Sequence, residues 1–182
     1  MTDDNKKVNA YMKMLNQDVV EPLLTTQQGE SNTSKILLVF ASIDGLGKLV
    51  HPDESAKVRD RFSYYILNYF PHVYHSHIDE LYKMRCLYTN NALSFSSFVS
   101  WQKDAELHHL QYQSGAKYLH IEGTAFFQDF FESMMTLMAD IGDSQSMMSS
   151  VANRLRWLDE DDFSFWGTEN TPLSNVQYVR IS

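Results

Sequence analysis

Along most of the chain apolar residues recur at three- and four-residue steps, the spacing that turns one face of a helix toward a core. Val8, Met12, Leu15, Val19 and Leu23 follow it over 6–24, where Pro22 is expected to kink or end the helix. A polar stretch at 27–34, containing Gly29, reads as a connecting loop. Ile36, Val39, Phe40, Ile43, Leu46 and Val50 then predict a strongly apolar, central second helix. Pro52 and Asp53 suit the first turn of a third helix, which would bury Phe62, Tyr65, Ile66 and Tyr69 and end at Pro71. A fourth, over 78–88, carries Ile78, Leu81, Tyr82 and Arg85 on one side and meets a polar break at Thr89, Asn90 and Asn91.

The period changes in the middle of the chain. Segments 106–112 and 117–122 bracket Ser114 and Gly115, a turn dipeptide, and predict a short β-hairpin. Thr124 is then placed to cap a helix with a wide stripe of Phe127, Phe130, Phe131, Met134, Leu137, Met138 and Ile141. Asp143 is placed to cap another carrying Met147, Val151, Leu155 and Leu158, and the two should pack as a helical hairpin. Beyond 159 the chain turns acidic and irregular, with an edge-strand alternation at 176–181. The expected fold is mainly α: a bundle of about five to six helices with a β-hairpin insertion, one domain over 1–160 and a tail over 161–182.

Composition narrows the functional classes. With 182 residues, 43% of them hydrophobic, the chain can close a core of its own. Cys86 is the single cysteine and no leader pattern opens the chain, so a reducing cytoplasm is expected. The apolar runs at 35–43 and 124–141 are too short or too interrupted by Gln128, Asp129 and Glu132 to span a bilayer. A formal charge of −8 opposes broad wrapping of nucleic acid. The positive charges nevertheless gather, with Lys57, Arg59, Arg61, Lys83 and Arg85 in one third of the chain and an acidic run at 159–162.

Most candidate motifs are incomplete. Gly45, Gly47 and Lys48 lack the glycine and hydroxyl of a phosphate loop, Ser42 and Leu49 standing in those places, so the glycines read as close-packing positions. His72, His75 and His77 lack the further ligands of a zinc set and read as a solvated loop. His108, His109 and His120 fall on the hairpin without a partnered nucleophile. The acidic run scatters its carboxylates, and Cys86 has no nearby histidine and is expected to pack. The Phe and Met stripe is core by its spacing, part of it available as a dimer contact. No metal site or cofactor is implied.

One segment carries a resemblance. Residues 81–93, Leu-Tyr-Lys-Met-Arg-Cys-Leu-Tyr-Thr-Asn-Asn-Ala-Leu, together with 41–49 and the aromatic 68–71, resemble bacterial members of the HEPN superfamily. In that signature an arginine near a helix end is followed about four to six residues later by a histidine. The resemblance spans about 35–92 and, more loosely, continues to 141. It implies a helical bundle, usually dimeric, with arginine and histidine from both protomers meeting in a cleft, and metal-independent RNA cleavage in active members. There a ribose 2′-OH attacks the adjacent phosphodiester, histidine moves protons, and arginine holds the phosphate. Arg85 matches the arginine, whereas Asn90 or Asn91 stands where the histidine would be, and an amide exchanges no proton near neutral pH. By resemblance Arg85 and Asn90 form the reactive pair, with Lys83, Tyr88, Thr89 and Asn91 contacting substrate. The implied setting is RNA-associated defence or a toxin–antitoxin system, with RNA and an antitoxin protein as partners. The alternative, favoured by the negative charge, is a non-enzymatic interaction module or inhibitor on a helical scaffold.

Overall fold

The computed structural model describes residues 3–25, 32–90, 99–100, 109–112 and 119–156. The first helical rod is α1 (Asp3–Leu15), a π-helical turn (Asn16–Val20) and α2 (Glu21–Thr25). Pro22 therefore does not end the helix. The wide turn before it, closed by the Glu21 N–H on the Asn16 carbonyl, takes up the ring and the missing donor that would break a regular helix. Then follow α3 (Asn32–Val50), α4 (Val58–Tyr69), a 3-10 helix (His72–His77), α5 (Ile78–Asn90), α6 (Gly123–Asp143) and α7 (Gln145–Arg154). With the first rod counted once, the described residues form six helices, and the molecule is mainly α as its periodicity predicts.

Helix α3 is central because its apolar positions go all the way into the core: Val39, Phe40, Ile43 and Leu46 are completely buried. Phe40 lies 5.6 Å from Phe126 of α6, 6.1 Å from Phe62 of α4 and 6.1 Å from Tyr88 of α5, ring centre to ring centre. Four helices thus meet at one aromatic side chain, and burying a ring of this size contributes about 2–3 kcal/mol. The predicted stripe of α6 is core: Phe127, Phe130, Met134, Leu137, Met138 and Ile141 are buried, as is Phe126 beside them, while Phe131 is half-buried. Helix α7 packs on α6, as expected, and also on α1, where the Ser149 hydroxyl donates to Asp4 at 2.7 Å. Gly47 sits at the crossing of α3 and α4, where an added Cβ would lie 2.4 Å from the Arg61 carbonyl oxygen. Close packing is thus the role of this glycine.

Several local expectations are corrected. Pro52 and Asp53 precede α4: Asp53 Oδ1 accepts both the N–H and the hydroxyl of Ser55, at 2.8 and 2.7 Å, so a side-chain turn displaces the predicted helix start. The histidine run after Pro71 is a 3-10 helix that buries Tyr74, not a loop. Helix α5 continues through Thr89 and Asn90. Glu122 stands at the N-cap of α6, leaving Thr124 within the first turn, and Ser144 caps α7 in place of Asp143 by accepting the Met147 N–H at 3.2 Å. The predicted hairpin is present as β2 (Gln111–Tyr112) antiparallel to β3 (Leu119–Glu122), and β1 (Val99–Ser100), which the local pattern does not announce, runs parallel on the other edge of β3. The loop expected over 27–34 is helix from Asn32 onward, and its residues 27–31, the turn at Ser114 and Gly115, Asn91, His108, Leu158, the acidic run and the edge-strand pattern lie outside the described residues.

Candidate functional site

Arg85 emerges from α5 into a notch walled by α3 and α4. One of its terminal nitrogens donates to Asp44 Oδ2 of α3 at 3.2 Å, while Arg61 of α4 approaches Asp44 Oδ1 at 3.6 Å. The carboxylate that partners Arg85 is therefore Asp44, not its own-helix neighbour Glu80. The three side chains are between 17% and 20% exposed, so the cluster is mostly withdrawn from water. The ring of Tyr82 lies 6.0 Å beneath the Arg85 guanidinium and meets Phe62 edge-on, a rigid floor for the cation. Asp44 is the one acidic residue of α3, and that isolation within an apolar helix is the sequence signal for an internal ion partner.

The other residues of the resemblance are distributed differently. Lys83 is exposed on α5. The Tyr88 ring is buried against Phe40, and burial pushes its phenol up to about 12. Thr89 spends its hydroxyl on its own helix, donating to the carbonyls of Arg85 at 3.0 Å and Cys86 at 3.2 Å. Asn90 is the last residue of α5, and Asn91 lies outside the described residues. Arg59 is engaged elsewhere, with Asp79 at 2.6 Å on the exposed surface. Arg61 thus joins Arg85 in the notch while Arg59, two residues away, does not.

A second polar cluster ties the hairpin to the bundle. The Glu122 N–H donates to His109 Nδ1 at 3.0 Å, which leaves the ring proton on Nε2. That nitrogen donates to the Tyr74 hydroxyl at 2.7 Å, which in turn donates to Asp129 at 2.5 Å. Burial, with His120 and His77 nearby, brings His109 down to about 4, and burial raises Asp129 above the usual carboxylate range. Leu110, at φ 58°, bends the chain in the left-handed region so that its N–H meets the His120 carbonyl at 2.9 Å. Each ring nitrogen of His109 already has a partner, so the chain of hydrogen bonds acts as a latch. The sequence places His109 on the hairpin but gives no sign of Tyr74 as its partner.

His72 and His75 bring their Nδ1 atoms to 3.3 Å on the exposed 3-10 helix, yet among the described residues no three His, Cys, Asp or Glu side chains gather as a metal set. No helix among the described residues is long and apolar enough to cross a membrane. Comparison with protein-family models, with curated proteins and with solved structures returns no match to this chain.

Proposed function

We propose that this chain is a HEPN-like, RNA-associated protein of a defence or toxin–antitoxin system, working in the cytoplasm as a homodimer, with Arg85 as its phosphate-binding residue. The observation that carries the reading is the setting of Arg85. It is a mostly buried arginine on a rigid aromatic floor, five residues before Asn90, with a single side-chain hydrogen bond, to Asp44, among the described residues. A guanidinium placed in this way has donors left for an anion, and its low-dielectric surroundings strengthen the contact.

Asn90 can orient a phosphate by hydrogen bonding but moves no proton, so phosphate binding outlasts cleavage in this reading. The test is cleavage of labelled single-stranded RNA and tRNA in EDTA by the parent chain, Arg85→Ala and Asn90→His. A silent parent, a cutting Asn90→His and a silent Arg85→Ala are expected. Inert, non-binding behaviour by all three refutes the reading. A second reading, a non-enzymatic interaction module or inhibitor, draws on the charge of −8 and on exposed Leu24, Leu67, Val73 and Tyr112, and would then take its place.

A further inference from the structure

We infer that Arg61 is a second anion-contacting residue of the notch, and that the group it holds with Arg85 is a singly charged phosphodiester. The inference rests on the proposed phosphate site at Arg85 and extends it to a residue on another helix.

The notch holds two guanidiniums and one carboxylate, so its charge is +2 − 1 = +1, held by side chains less than a quarter exposed. Among the described residues one positive charge is left without a counter-ion. Hydrogen bonding leaves the same gap. Among the described residues Arg61 reaches Asp44 only at 3.6 Å, beyond hydrogen-bond distance, and Arg85 makes a single side-chain hydrogen bond there, so their terminal nitrogens have donors to spare.

Gly47 explains why Arg61 is here at all. It lies three residues after Asp44 and so shares its face of α3, and its missing side chain lets the Arg61 backbone come into contact. The close crossing delivers the Arg61 side chain to Asp44, whereas Arg59 faces outward to Asp79. A phosphodiester matches what the notch lacks. Its two non-bridging oxygens can take one arginine each, and its charge of −1 balances the excess. A terminal phosphate monoester carries about −1.5 to −2 near neutral pH and would set surplus negative charge against Asp44.

The experiment is a fluorescence-anisotropy titration of the full chain with labelled oligouridylate, each variant first checked for native circular dichroism. Arg61→Ala keeps the Cβ that packs at Gly47, so the crossing should survive. Arg61→Ala and Arg85→Ala should each weaken binding roughly tenfold or more, because each removes charge-assisted hydrogen bonds. Arg59→Ala, which removes the same charge from the same helix, should change it less than about threefold. A 5′-phosphate on the probe should bring no gain. If Arg61→Ala behaves like Arg59→Ala while Arg85→Ala still loses binding, the inference about Arg61 is wrong and the proposed function stands. If the parent ignores oligouridylate but dimethyl phosphate raises its melting temperature in an Arg61-dependent manner, the site stands and the RNA reading fails. No response to either probe overturns both.

Discussion

Two glycines of α3, a half-turn apart, should respond to the same substitution with opposite signs. Gly45→Ala removes a poor helix former, a gain of about 1 kcal/mol, and its new Cβ would lie 3.9 Å from the Tyr11 hydroxyl, an ordinary contact. Gly47→Ala receives the same helical gain, but its Cβ would stand 2.4 Å from the Arg61 oxygen and 2.9 Å from the Arg61 carbonyl carbon. Both are backbone atoms, so no rotamer change relieves the clash, and α3 and α4 must separate by about 1 Å to reach ordinary contact distance. Overpacking of this kind costs typically 1–3 kcal/mol and at a backbone–backbone crossing should reach the upper end, leaving a net loss of about 2 kcal/mol. For a chain of this size that is a fall of about 4–8 °C in melting temperature for Gly47→Ala and a rise of about 2–4 °C for Gly45→Ala. Urea and thermal unfolding followed by far-ultraviolet circular dichroism measure both. A Gly47→Ala protein as stable as its parent would refute the close crossing, and with it the account of how Arg61 reaches Asp44.

The remaining predictions concern the latch and the caps. His109 titrates at about 4 folded against an ordinary 6.5, so the unfolded chain binds its proton first and stability falls as pH drops through that window. Because the ring is partly open to solvent, the loss should be about 1–2 kcal/mol between pH 6.5 and 4.5, read from urea midpoints. A flat profile would contradict a half-buried His109 held neutral in the latch. Asp129, raised in the fold, works in the opposite sense and offsets part of this loss. Tyr74→Phe strips both His109 and Asp129 of their shared partner and should cost about 1–3 kcal/mol while altering that pH slope. Ser144→Ala should cost about 1 kcal/mol and Asp143→Ala much less; equal effects would place the α7 cap elsewhere.

The helices are legible because each one keeps an apolar stripe that local spacing reveals, and α3 and α6 became the core that their stripes announce. What the pattern misplaces is decided by single hydrogen bonds. Asp53 can serve a helix start or a turn, and Ser55 settles it; Asp143 and Ser144 compete to cap α7, and the Met147 N–H settles that. Of the two outcomes expected at Pro22, a kink or an end, the end does not occur, because a π-helical turn just before the ring accommodates it, a feature that local spacing does not reveal. The pairing of β1 with β3 joins Val99 to Ile121, too far apart for any local period to register. At the candidate site Arg85 stands out in sequence, but the residue that shares its carboxylate is one of several nearby cations. Only the α3–α4 crossing distinguishes Arg61 from Arg59.

The docking of α1 on α7 also orders events in time. Asp4 and Ser149, hydrogen-bonded in the fold, lie 145 residues apart, so during synthesis α1 must wait for α7 before this contact can form. Until then Val8, Met12 and Leu15 present an uncovered apolar stripe on the nascent chain, a surface for chaperones or for aggregation. A chain cut short before Gln145 would leave that stripe permanently without its lid, and such fragments should be cleared by proteolysis even though every helix around the notch is already complete.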